Sequence, residues 1–180
     1  MERETIDGKP FLVGYHTQEC RTEPLANPIC CRVKNAWLGI GYYFWTELEF
    51  AHYWGQDFKK SKTGAYNVYK TLLDVDNCIN SVFSEEGYFY LRRKLEEALL
   101  YFENNGIAIS LEQVHLFLND NIWKELGVTG IIYDDKPTNP KGKSRVYSAI
   151  PDLYYKKRIQ VVVFKLDHVL NFSVFLEKQT

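Results

Sequence analysis

The segment Gly39-Ile40-Gly41-Tyr42-Tyr43-Phe44-Trp45-Thr46, followed by Glu49, Ala51, Tyr53 and Trp54, constrains the fold more than any other part of the chain. Its consecutive aromatic residues favour a strand, and the glycines ahead of them let another backbone approach closely. Thr46 and Glu49 have the T-x-x-E spacing of a capping box, so a helix is expected directly behind the strand. Tyr43 and Trp54 would then face each other across the strand–helix corner, and two rings held that way can clamp a flat heteroaromatic ring by stacking. The same aromatics also suit an ordinary apolar core, which is where such side chains more commonly reside.

Upstream, Phe11-Leu12-Val13-Gly14-Tyr15-His16-Thr17 reads as a short apolar strand ending in His-Thr. Downstream lie Asn67–Val75, Leu126–Tyr133 and Arg158–Phe164, the last followed by Leu166, Val169 and Leu170, three stretches that the resemblance given next implies are further core strands. A strand ending in His-Thr, then a Gly-opened aromatic strand, then a helix carrying Ala and Trp resembles the ADP-ribosyltransferase fold, in its small bacterial and phage form with a His–Tyr–Glu signature. The resemblance is dense at residues 11–17, 39–55, 127–133 and 158–164. It implies an α+β domain over residues 1–180 with two facing, mainly antiparallel sheets, a helical insertion between residues 76 and 126, and Arg158–Phe164 as the last strand.

The resemblance also implies a chemistry. His16 would hold the adenosine-side ribose of NAD, with Thr17 beside it. Tyr43 and Trp54, eleven positions apart, would sandwich the nicotinamide. Arg21 and Arg32, in a long loop over residues 18–38, would pair with the phosphates. The third signature position, usually Glu, matches Gln160. Cleavage of the N-glycosidic bond passes through an oxocarbenium-like state; an amide keeps a hydrogen bond to the ribose but supplies no negative charge. His16, Tyr43 and Gln160 are therefore the expected catalytic set, with NAD as substrate. Two alternatives stay open: a degenerate domain that binds NAD or a partner without turnover, and an NAD-independent RNA-binding or RNA-processing protein. A toxin or phage-conflict role, with an antitoxin or inhibitor protein as partner, is a further implication of the resemblance.

Residues 134–158 carry Lys136, Lys141, Lys143, Arg145, Lys156, Lys157 and Arg158 against Asp134, Asp135 and Asp152, with Tyr147, Tyr154 and Tyr155 interleaved. Cations alternating with aromatics can follow a phosphate backbone and stack on bases, so this loop is the expected contact for a macromolecular acceptor, protein or nucleic acid. A solvated surface loop is the plainer reading of the same residues.

Elsewhere the chain constrains less. With 180 residues, 46% hydrophobic, it is long enough for one substantial core, and its net charge of −1 points to neither nucleic acid nor an acidic membrane. The N-terminus lacks the pattern of a signal peptide and no apolar run is long enough to span a bilayer, so a cytoplasmic location without a membrane partner is expected. Cys20, Cys30, Cys31 and Cys78 form no C-x-x-C motif; reduced structural thiols, rather than a metal site with His16, are expected. Tyr88–Asn104 and Ser110–Leu126 show helical apolar stripes, the second opened by a Ser110/Gln113 capping box and closed by Gly127. Glu96, Glu112 and His115 are expected on helix surfaces, and residues 56–65 in a polar loop.

Overall fold

The computed structural model of the chain describes residues 1–32, 36–135 and 158–180. It is mixed α+β. The strands are β1 (Arg3–Ile6), β2 (Lys9–Glu19), β3 (Tyr42–Trp45), β4 (Tyr66–Leu73), β5 (Cys78–Asn80), β6 (Gly130–Asp134), β7 (Ile159–Val163) and β8 (Val169–Gln179). They form a sheet in the order β5-β6-β7-β3-β2-β4-β8, with β1 also on β2. Every pairing is antiparallel except β5–β6.

The sheet forks at β2. One edge of β2 pairs continuously with β4, from Leu12↔Leu73 to Glu19↔Tyr66. The opposite edge is shared: Lys9–Leu12 pair with β1, and β3 joins only at Tyr15↔Trp45. The two expected sheets are thus one hydrogen-bonded path whose halves meet at a single residue pair.

Helices cover part of this sheet. Helix α1 (Leu48–Trp54) runs through a π-helical turn (Gly55–Lys59) into α2 (Lys60–Thr63), so residues 55–63 are helical rather than the expected polar loop. The expected capping box at Thr46 and Glu49 does not form: the helix starts one residue later, behind Glu47, without a side-chain cap. Thr46 is buried and its hydroxyl lies 3.5 Å from the Ile159 carbonyl. Tertiary packing of the strand end has claimed the group that local sequence assigns to the helix.

Helices α3 (Glu85–Asn104) and α4 (Leu111–Leu118) occupy the expected helical region. Ser84 caps α3 by accepting from the Gly87 amide, and Ser110 caps α4 by accepting from the Gln113 amide at 3.2 Å, as the capping box requires. Gly127, at φ +66°, closes this region in the left-handed conformation that favours glycine. The apolar stripe of α3 (Leu91, Ala98 and Phe102) packs with Val114, Leu118 and Trp123 against Ile131 and Val162.

A second cluster lies under α1, joining Phe50 and Ala51 to Tyr15, Trp45 and Val68. A third contains Leu12, Phe44, Leu73, Ile132, Val161 and Val163 and, among the described residues, no helical side chain. His115 departs from its expected surface position: it is 1% exposed, on the inner side of α4. Arg158–Phe164 is not the last strand, because β8 follows a short 3-10 turn (Leu166–His168) and pairs with β4 through bulges.

Candidate functional site

Three of the candidate residues, His16, Tyr43 and Gln160, lie on the strands around the fork, β2, β3 and β7. In an antiparallel ladder, the backbone groups of successive residues point to alternate edges. Thr46 N–H donates to Ile159 O, so Thr46, Phe44 and Tyr42 turn their backbone groups to β7; Trp45, Tyr43 and Gly41 turn theirs to the β2 side. Trp45 meets Tyr15 of β2. Gly41 meets the Cys31 backbone, with bonds of 2.8 and 3.3 Å. A side chain at Gly41 would strike Val162 Cγ2 at 2.6 Å and Val163 O at 2.7 Å, which explains the glycine. Between these two pairings, the Tyr43 carbonyl is met not by backbone but by His16 Nδ1, at 3.0 Å.

This bond defines the protonation of His16. A carbonyl only accepts, so Nδ1 carries the hydrogen. Burial, partly opposed by the Tyr43 bond and assisted by the nearby Lys59 charge, lowers the pKa to about 4. The ring is therefore neutral near pH 7 and Nε2 is a bare acceptor. Nε2 is buried and has no hydrogen-bond partner. The ring lies 5.7 Å from Phe44, 6.5 Å from Tyr69 and 6.1 Å from Phe172. Such a group is a poor general base, but it can accept a hydrogen bond from a hydroxyl.

Tyr43 and Gln160 present their side chains to the opposite face of the sheet. The Tyr43 hydroxyl accepts from Leu38 N–H at 2.9 Å and donates to the Gly39 carbonyl at 2.7 Å, and burial raises its pKa. Gln160 is 8% exposed and pairs across strands with Trp45 and Tyr133. Its Oε1 accepts from the Trp37 indole N–H at 3.2 Å, while the Trp37 ring packs edge-on against Tyr133 at 5.4 Å. An indole N–H only donates, so the amide oxygen faces Trp37 and the amide NH2 is turned elsewhere.

Trp54 packs on Phe58 at 4.3 Å and on Trp45 at 6.2 Å, in the cluster under α1, whereas Tyr43 belongs to the cluster under α3 and α4. Thr17 is buried, and its hydroxyl donates to the Ala51 carbonyl at 2.8 Å, pinning α1 to β2. Arg21 bonds Glu19 at 3.3 Å, and Arg32 is exposed. At the edge of the basic segment, Arg158 pairs with Asp135 at 2.8 Å and lies 5.1 Å from the Trp45 ring centroid. Residues 136–157, which include Lys136, Lys141, Lys143, Arg145, Lys156 and Lys157, lie outside the described residues.

Three side chains at this site were not singled out from sequence. Trp37 was only one aromatic in a long loop, Lys59 one cation of a polar run, and Glu19 an unremarked strand end. The apolar Ala36-Trp37-Leu38 step before Gly39 is the one local signal that this part of the loop is packed. The four cysteines are free. Among the described residues no group of His, Cys, Asp and Glu is arranged to hold a metal, and no helix is long and apolar enough to cross a membrane. Comparison with protein-family models, curated proteins and solved structures finds no match.

Proposed function

We propose that this protein is an ADP-ribosyltransferase-like enzyme that cleaves NAD and transfers ADP-ribose to a macromolecular acceptor. The observation that carries the proposal is the side-chain bond across the fork. His16 is anchored by Nδ1 to the Tyr43 carbonyl and keeps a bare, buried acceptor at Nε2, suited to a ribose hydroxyl. Gln160 lies two strands from His16, on β7 and on the other face of the sheet, with its amide held through the oxygen.

The chain path supports the same proposal. The cluster around Leu12, Phe44 and Val161 is buried without described helical side chains, which suits a sheet folded into two facing layers hinged at Tyr15↔Trp45. In this scheme Tyr43 and Trp54 border the nicotinamide, with Trp45 beside Trp54. Thr17 fixes the helix that carries Trp54. Arg21 and Arg32 lie on the phosphate side, and the basic segment 134–158 meets the acceptor, protein or nucleic acid. Gln160 supplies a hydrogen bond to the ribose at the scissile bond. The reaction breaks the ribose–nicotinamide bond and joins the ribose carbon to an acceptor nucleophile, whose proton leaves to solvent. NAD is a substrate, and no metal takes part.

The test is release of nicotinamide from labelled NAD by the wild type, by His16→Ala and by Gln160→Ala. Release by the wild type that falls in both folded variants is the expected result. NAD binding without release would instead favour a degenerate binding domain, and absence of NAD binding would remove the proposal altogether.

A further inference from the structure

Most of the large apolar side chains left exposed among the described residues lie in the helical insertion, between Phe83 and Leu126. Helix α3 shows why this matters. Its inner face is set by Leu91, Ala98 and Phe102. At about 100° per residue, Phe89, Arg93, Glu96 and Leu100 fall on the side opposite that face, in a stripe about 60° wide. Phe89 is 51% exposed and Leu100 57% exposed. Solvation of a helix calls for polar residues at the centre of its outer face, not for Phe and Leu. Exposed apolar groups framed by charges mark interaction surfaces.

The stripe is self-complementary. From either end it reads apolar, charged, charged, apolar, and its two charges have opposite signs. Its spacings of four, three and four residues are those of a helix–helix seam. Laid antiparallel on a second copy with Phe89 opposite Leu100, Arg93 falls opposite Glu96, and each pairing occurs twice about a two-fold axis. A parallel arrangement would set each charge against its like. Within the monomer, the ion pairs of α3 join Arg92 to Glu96 at 2.8 Å and Lys94 to Glu97 at 2.7 Å. Arg93 belongs to neither pair; its guanidinium lies 5.9 Å from the Tyr90 ring centroid.

We propose that the outer face of α3 is a homodimer interface, in which α3 packs antiparallel on α3 of a second copy. Phe89 of each copy lies against Leu100 of the other at the two ends of the contact. Arg93 of each copy pairs with Glu96 of the other across the middle. Glu96 keeps Arg92 of its own chain as well, since a carboxylate has two oxygens to offer. The contact is short: Phe89 and Leu100 lie about 16 Å apart along the helix axis. One such helix pair sits at the small end of specific interfaces, so a concentration-dependent dimer of roughly micromolar affinity is expected, not an obligate one. No residue of the stripe takes part in the proposed NAD chemistry, so the two readings stand or fall separately.

The experiment is sedimentation equilibrium of the full chain across a concentration series spanning the micromolar range, with circular dichroism to confirm folding. The wild type should pass from monomer to dimer. Arg93→Glu and Glu96→Arg should each weaken association by roughly tenfold or more, because each sets like charges across the seam. An equimolar mixture of these two variants should dimerise again, because every facing pair is then of opposite sign. The combined variant Arg93→Glu/Glu96→Arg should also dimerise, for the same reason. Dimerisation through any other surface would leave the single variants unaffected. A wild type that stays monomeric throughout would overturn the interface. So would single variants that associate like the wild type, or a mixture or folded combined variant that stays monomeric.

Discussion

Replacing Trp37 by Phe removes the indole N–H, together with the five-membered part of the ring system, and keeps an aromatic ring near Tyr133, which tests what the Trp37–Gln160 bond does. In the wild type the indole N–H holds Gln160 Oε1 at 3.2 Å, in a position only 8% exposed. The phenyl ring leaves that oxygen without its donor, which costs on the order of 1–3 kcal/mol for a buried acceptor unless the amide rotates. If it rotates, the NH2 no longer points where the ribose oxygen should lie. Either way the orientation of the amide, and not its presence, is lost. If that penalty is felt in the transition state, nicotinamide release should slow by about ten- to a hundredfold, while NAD affinity changes little.

A carboxylate at residue 160 has two equivalent oxygens and needs no such orientation. Gln160→Glu should therefore hold or raise NAD cleavage by placing negative charge opposite the forming oxocarbenium, even if hydrolysis replaces transfer. Trp37→Phe should cost distinctly less in the Gln160→Glu background. The assay is single-turnover nicotinamide release in a double-mutant cycle, with NAD affinity measured in parallel. Unchanged release in folded, NAD-binding Trp37→Phe protein would refute the reasoning, and so would equal losses in the two backgrounds.

Other consequences can be checked separately. His16 and His115 are both buried with pKa values lowered to about 4, so each favours folding only while neutral. Their contribution is complete above the unfolded value near 6.5 and is lost as pH falls towards 4, up to about 3 kcal/mol for each. Urea unfolding should show His115→Leu with a shallower loss between pH 6.5 and 4 and no loss at pH 7.5, because Nδ1 has no hydrogen-bond partner to forfeit. Gly55→Ala should destabilise by about 2 kcal/mol, since its Cβ meets the Tyr66 ring, with thermal melting as the readout. Trp54→Ala should weaken NAD binding by about 1 kcal/mol or more in a folded protein; titration that finds unchanged affinity would remove Trp54 from the nicotinamide pocket.

The strands and long helices were legible because their patterns are local. Phe11–Thr17 and Arg158–Phe164 are dense apolar runs, and α3 repeats its buried residues at helical spacing from Leu91 to Phe102. Ser110 caps as expected because its helix end is exposed and nothing else competes for the hydroxyl. Thr46 fails as a cap because it is buried next to β7. The π-helical turn was hidden because its cause, the Tyr66 ring against Gly55, is a contact between helix and strand that no helical periodicity reports. The hairpin of β1 and β2 had a signal in Asp7-Gly8, both at positive φ, which suits a two-residue turn. His115 was misplaced because a lone polar residue on a helix is by default assigned to water. Its burial follows from the packing of α4 against the Gly39 loop, where the His115 carbonyl would lie 3.6 Å from a Cβ at that glycine.

The fork at β2 explains why His16 meets the Tyr43 backbone. A continuous ladder satisfies its backbone groups internally and leaves side chains to pack. Where β2 and β3 part after one pair, the Tyr43 carbonyl still requires a donor, and an imidazole supplies it. That substitution fixes the tautomer of His16 and exposes its other nitrogen as an unsatisfied acceptor inside the protein. The cost of such an acceptor, on the order of 1–3 kcal/mol, is one a structural histidine could avoid by rotation or replacement. In the proposed function a ribose hydroxyl would remove that cost, and the unsatisfied acceptor would contribute affinity for it. The same logic applies at Gln160, where Trp37 satisfies the oxygen and leaves the amide hydrogens to find an acceptor. One residue thus offers an acceptor and the other a donor, on opposite faces of the sheet, and each of the two groups favours a ligand that carries hydroxyls over an apolar one.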